Sequence, residues 1–247
     1  METKKKREKE LLKHVLVQLF IADSAAAWTS AGFHVSPNNI VTVGNITITL
    51  LGNDNWNGKG GIVAWAFEAR NDPVHADTVL LLDSLHTQII NPLTTASSCN
   101  NATTTPPVIH PNRVVGIDHI VITSPNLLKT VAVFATLGLR PKRIVGDHQM
   151  IFFKSGDVVI ELIHGIPQFS NVEAQVLKET RFWGITFTTS DFDETVRVLG
   201  PLVKTPKDAV QGRGRRIVTL IHQNAGISVN TAFVSLPDSS SSQSSKL

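Results

Sequence analysis

The chain contains no tyrosine, only 6% aromatic residues and a single cysteine among 247 residues. The scarcity of aromatics argues against a base-stacking platform for single-stranded nucleic acid. The formal charge is only +3, with basic residues bunched at Lys4, Lys5, Lys6 and Arg7 and again at Arg213, Arg215 and Arg216. That lacks the broad basic face of a nucleic-acid binder. The lone thiol, Cys99, excludes an intramolecular disulfide and fits a reducing compartment, so the sequon at Asn101 is expected to be idle. No apolar run approaches the ~18 residues of a membrane-spanning helix. The basic start "METKKKREKELLKH" has no long apolar segment behind it and does not read as a signal peptide. No nucleic-acid or membrane partner is expected.

What is present is enough apolar material for a sizeable core, 42% of residues, arranged in short alternating runs. Residues 94–112, "TTASSCNNATTTPPVIHPN", are polar and hold three prolines, which reads as a linker. The chain then divides into a basic segment 1–12, an N-terminal half 13–93, the linker, a C-terminal domain 113–236 and a tail 237–247. The tail ends Ser245-Lys246-Leu247 behind a serine-rich run. This is the form of the peroxisomal address. The expected partner is the peroxisomal import receptor and the expected location the peroxisome or a related organelle, otherwise the cytoplasm.

The C-terminal part reads strand ("VVGIDHIVIT"), helix ("NLLKTVAVFATLGL", with Gly138 as its stop), a short strand at "PKRIV", then a hairpin in "QMIFFKSGDVVIELI" turning at Ser155-Gly156. The order recurs: strand "FWGITFTTS", an Asp-capped helix "DFDETVRVLG", strand "RRIVTLI", turn "HQNAG", strand "ISVNTAFVS". Two βαβββ units in about 120 residues form an internal repeat. The N-terminal half is a worn copy. "KHVLVQLFIADSAAAWTSAGFHVS" follows the same strand, helix, glycine, strand order, and "GNITITLL" aligns with "GDVVIELI". "GIVAWAFEA" resembles the second-unit strand and is followed by a helix-like "DTVLLLDSLHTQI", after which no final strands are visible. The fold class is α+β, of tandem βαβββ units with a degenerate N-terminal half.

Two ionisable residues sit on otherwise apolar strands, His119 in "GIDHIVIT" and Glu161 in "GDVVIELI". Such groups are costly there unless paired, hydrogen-bonded or metal-bound. They fall on the first and last strands of one unit. With "RFWGITFTTSDFDE" following, the pattern resembles the vicinal oxygen chelate superfamily, the glyoxalase, bleomycin-resistance and ring-cleaving dioxygenase group. The resemblance covers about 113–236 well and 13–70 weakly. It implies a curved-sheet cup with His119 and Glu161 as metal ligands and Glu161 also as catalytic base. The implied metal is divalent: Zn, Ni, Fe or Mn. It further implies an isomerase, lyase or epimerase acting on a small oxygen-rich acid or thiol adduct, by a monomer or homodimer.

The sequence departs from the pattern at Gly184, where the second unit would place a ligand, and at Thr231 or Ala232. His14 matches the first-strand histidine, but Thr49 replaces the glutamate. A two-ligand site is short of the usual three unless His148, His164, His14 or a partner subunit helps. The alternative is a metal-free cup that sequesters a small molecule over a vestigial site. "VQGRGRRIVTL" is a candidate anion grip through Gln211, Arg213 and Arg215, or else a basic hairpin facing solvent. Trp183, after Phe182, either lines a pocket or packs between units.

Overall fold

The computed structural model describes residues 14–52, 60–69, 77–91, 108–146, 149–165, 177–210 and 214–237. Fourteen strands and four α-helices are present among them. Both C-terminal βαβββ units are there. The first runs β7 (Val114–Ser124), α2 (Leu127–Thr136), β8 (Pro141–Val145), β9 (Met150–Ser155) and β10 (Val158–His164). The second runs β11 (Arg181–Thr189), α3 (Phe192–Leu199), β12 (Lys207–Asp208), β13 (Arg216–Thr219) and β14 (Asn230–Ser235). Segment "HQNAG" is a short helix, α4 (His222–Ala225), closed by Gly226 in the left-handed region.

Local chemistry sets these boundaries. Asn126 caps α2 by accepting from the Lys129 N–H. Asp191 caps α3 by accepting from the Glu194 N–H, the first half of a capping box. Gly138, at φ 76°, follows the α2 C-cap Leu137 and lets the chain leave the helix. The buried stripe of α2 is narrower than its many apolar residues suggest. Phe134 is buried, whereas Leu128 is 80% exposed.

The N-terminal half begins β1 (His14–Ile21), α1 (Ala25–Ser30), β2 (Ile40–Val43), β3 (Ile46–Leu50) and β4 (Ile62–Ala69). No strand follows Gly32 directly. The first strand after α1 starts only at Ile40. The helix expected in "DTVLLLDSLHTQI" is a hairpin instead, β5 (Thr78–Leu82) and β6 (Leu85–Ile90), so final strands do precede the proline-rich stretch. Its two turn residues, Asp83 and Ser84, both have positive φ, 47° and 71°. That is the mirror-image turn whose twist suits a two-residue hairpin. Leucines at 80, 81 and 82 imitate a helical stripe, but the period in space is two.

Contacts divide the chain into two compact units, each drawn from three stretches: 1–20, 62–106 and 119–183; and 21–61, 107–118 and 184–247. The first holds the strand orders β1-β4-β6-β5 and β7-β10-β9-β8. Its core is built on Trp65, whose ring lies 4.8 Å from Phe67, 5.7 Å from Phe134 and 5.1 Å from Phe182. The Trp65 indole N–H donates to Thr87 Oγ1. The second unit holds β2-β3 and β12-β13-β14-β11. Its core is the cluster of Trp28, Phe33, Phe187 and Phe233. Asp23 lies buried beside it, accepting from Trp28 Nε1 and from both the N–H and the hydroxyl of Ser228.

Candidate functional site

The four-stranded array β7-β10-β9-β8 has two unlike faces. On one, Ile120, Ile122, Ile160, Leu162, Ile151 and Phe153 are at most 4% exposed, and Phe153 packs edge-on against Phe134 of α2. The other face is only half covered. β10 runs parallel to β7 with Val159 beside His119 and Glu161 beside Val121. β9 runs antiparallel to β10 with Lys154 beside Val159 and Phe152 beside Glu161. Arg143 of β8 lies beside Phe152. Paired residues share a face, so two rows cross the array: His119–Val159–Lys154, and Val121–Glu161–Phe152–Arg143.

The sequence-predicted pair does meet on this face. His119 Nε2 stands 3.6 Å from Glu161 Oε2, and the two side chains are 11% and 16% exposed. Adjacency follows from the crossover, because only a parallel β7/β10 pairing sets the first and last strands of one unit side by side. The groups are near enough to contact one ligand atom held between them. They are also dry enough that their mutual electrostatics are stronger than at an open surface.

The other predicted residues are dispersed. His164 falls one residue out of phase with Glu161 and Ile163, so alternation sends it to the opposite side. His14 is buried and turns its Nδ1 to the Leu137 carbonyl at 3.1 Å. Its Nε2 is buried with no hydrogen-bond partner among the described residues. Gln211, Arg213 and His148 lie outside the described residues. Arg215 is engaged within the protein: Nε donates to the Ser235 carbonyl and an Nη to Asp118. Its neighbour Arg216 forks onto Asp193 while lying over the Phe192 ring. Trp183 is half-buried on β11.

The second unit explains why it offers no matching ligands. Gly184 is paired with Asn230, and a Cβ there would lie 2.7 Å from the Asn230 carbonyl oxygen. No side chain of any kind fits that position without moving β14. Thr231 is buried and donates its hydroxyl to the Val229 carbonyl. Among the described residues no group of three or more His, Cys, Asp or Glu side chains could hold a metal ion. His119 and Glu161 supply two donors where catalytic metal sites fix about three, so the described side chains do not make up a self-sufficient metal centre.

Sequence reading overlooked Arg143, Phe152 and Lys154. Nothing in their local pattern marks them. Only the strand register carries them onto the face of the pair.

Similarity to a known family is confined to part of the C-terminal region. Residues 118–218 match the model of the Glyoxalase/Bleomycin resistance protein/Dioxygenase superfamily. No curated protein sequence matches significantly. Among solved structures, a 4-hydroxymandelate synthase variant from Streptomyces coelicolor is 14% identical, with 90% of this chain and 92% of that one covered and a TM-score of 0.54. Homoprotocatechuate 2,3-dioxygenase from B. fuscum is 11% identical, covering 92% and 71%, with a TM-score of 0.55. Methylmalonyl-CoA epimerase from Mycobacterium tuberculosis is 20% identical over 50% of this chain and 89% of that one, with a TM-score of 0.39. For the synthase and the dioxygenase, at these identities, the likeness is one of fold alone.

Proposed function

Because residues 118–218 match the model of the Glyoxalase/Bleomycin resistance protein/Dioxygenase superfamily, we propose that the half-open face of β7-β10-β9-β8 binds a small oxygen-rich acid and moves a proton on it. The reaction class is isomerisation, epimerisation or elimination. One observation carries this reading: an imidazole and a carboxylate 3.6 Å apart on the half-covered face of the array.

Glu161 is the base. Its carboxylate takes the proton from a carbon next to a carbonyl, and the electron pair moves into the carbonyl to give an enolate. His119 presents its Nε2 edge to the same place and donates a hydrogen bond to the developing oxyanion. Once the planar enolate has turned in the site, Glu161 returns the proton to the other face of that carbon, which completes an epimerisation with no outside oxidant or reductant. The apolar wall, Val121 and Val159, keeps water from competing for the proton. No step is assigned to a metal, since the described donors do not complete a site for one.

The test is solvent-deuterium exchange. Full-length protein is incubated in D2O with a panel of 2-oxo acids and thioesters of branched acids, and loss of the α-proton is followed by NMR. Glu161→Gln should lower exchange by about a hundredfold or more with unchanged thermal stability. Equal exchange by wild type and Glu161→Gln would overturn the assignment. A second reading, ligand sequestration without turnover, is favoured by the two-donor count. It predicts ligand-dependent stabilisation with no exchange.

A further inference from the structure

Resting on the reading of that face as the substrate site, the geometry points to an anionic substrate whose acid group is held by Arg143 and Lys154 while its apolar body lies across Val159 and Phe152.

Strand register places both cations. Arg143 is two strands from Glu161 along one row, and Lys154 two strands from His119 along the other. At ~4.8 Å per strand each cation is rooted about 10 Å from its partner in the pair. Arg143 and Lys154 are themselves diagonal neighbours across β8 and β9. Diagonal positions stand about 7–8 Å apart, so the two flexible side chains can converge on one anion. Neither forms an ion pair with a carboxylate of the described residues, in contrast to Arg216 on Asp193 or Lys129 on Asp83.

Arg143 is also held to the face. Its guanidinium carbon lies 5.6 Å from the centroid of the Phe152 ring, a cation–π distance. Phe152 stands between Arg143 and Glu161 in the same row. From edge to pair, the face therefore presents two cations, then an apolar floor, then the carboxylate and imidazole. With Glu161 as the one carboxylate in those rows, the field favours an anion at the β8 edge. A charged substrate end placed there is kept away from Glu161, and the uncharged reacting carbon is set beside it. The substrate class is a compact carboxylic acid with an apolar or unsaturated body.

Binding of simple probes to the full-length protein tests this. Benzoate carries both charge and ring, benzamide only the ring, acetate only the charge. Isothermal titration or NMR should rank benzoate tightest, with its binding weakened by raising NaCl from 50 to 200 mM. Arg143→Ala and Lys154→Ala should each weaken benzoate about three- to tenfold and leave benzamide unaffected. Arg143→Glu should abolish benzoate binding. Both side chains are exposed, so the variants should keep wild-type melting temperatures, which is measured alongside. Equal affinity for benzoate and benzamide, or benzoate binding indifferent to both alanine variants, would overturn the proposal. The two readings fail separately. Benzoate binding that needs Arg143, without proton exchange on any substrate, keeps the anion site and removes the catalytic role. Glu161-dependent exchange with benzoate binding indifferent to Arg143 and Lys154 does the reverse.

Discussion

His110 shows how one side chain ties a loop to a strand and makes stability depend on pH. Its Nδ1 accepts from the His34 N–H and its Nε2–H donates to the Thr42 carbonyl, while the ring packs edge-on against Phe33. Only the neutral Nε2–H tautomer makes both bonds. Burial pushes its pKa below the ordinary histidine value. The Thr42 bond works against this, and the nearby His34 adds to it. The folded state therefore takes up a proton less readily than the unfolded chain, whose histidines titrate near ~6.5. The stabilisation is complete above about pH 6.5 and is lost as pH falls below it through the folded-state value. Melting temperature should drop between pH 7.5 and 5.5, and His110→Phe should be less stable at pH 7.5 but show a smaller drop. An unchanged slope in the variant would remove His110 as the cause. Gly184 gives a second prediction at this scale. Gly184→Ala should cost about 1–3 kcal/mol by overpacking against Asn230, read from denaturant unfolding. Gly184→His, which puts a ligand-forming side chain where the pattern expects one, should cost at least as much.

The β5-β6 hairpin carries the element-scale prediction and shows where the sequence misleads. Asp83 is only 4% exposed in its side chain and accepts from Lys129, Thr130 and Thr180. Burial alone would raise its pKa, but these three partners together hold it below the ordinary carboxylate value. Its stabilisation is present above the unfolded aspartate pKa, near ~3.9, and is lost as pH falls further. Ser84 sits beside it in the left-handed region, where L-residues are strained by about 1–2 kcal/mol. Ser84→Gly should therefore raise stability, by up to about 1 kcal/mol, since added glycine entropy offsets part of the gain. A destabilised Ser84→Gly would show that the serine makes a contact worth more than the strain. This hairpin reads as a helix in sequence because three consecutive leucines satisfy any period, and Asp-Ser lacks the glycine that announces such turns. β7, β9, β10 and β11 were legible because short apolar runs rich in β-branched and aromatic residues are bounded by polar or turn residues, and Gly156 marks the hairpin turn. The His119–Glu161 pair was legible because each residue interrupts an apolar strand. Arg143 and Lys154 were not, because exposed cations on strands are unremarkable until register gives them neighbours.

At the scale of the whole molecule, sequence pattern and contacts partition the chain differently. The pattern marks 113–236 as a domain, and both of its βαβββ units do lie in that span. The contacts assemble each compact unit from stretches that lie before that span together with stretches within it. The second unit makes the consequence concrete. Phe187 and Phe233 belong to 113–236, yet their aromatic partners Trp28 and Phe33 belong to the N-terminal half. All four rings are at most 2% exposed. Removing residues 1–112 uncovers Phe187 and Phe233 and deletes Asp23, whose carboxylate fixes Ser228. It also removes His110 and Asn112, and the Asn112 carbonyl accepts from Thr195 of α3. Loss of two fully buried aromatic side chains by truncation to alanine costs about 3–5 kcal/mol each, comparable with the whole stability of an ordinary domain. The fragment 113–236 should therefore fail to reach a fixed tertiary structure, with weak near-ultraviolet circular dichroism and collapsed amide dispersion, while the full chain unfolds cooperatively. Mixing it with a separately produced 1–112 fragment should restore part of the near-ultraviolet signal. A fragment 113–236 that melts cooperatively on its own would show that the aromatic cluster is dispensable and that the degenerate half is an appendage rather than part of the core.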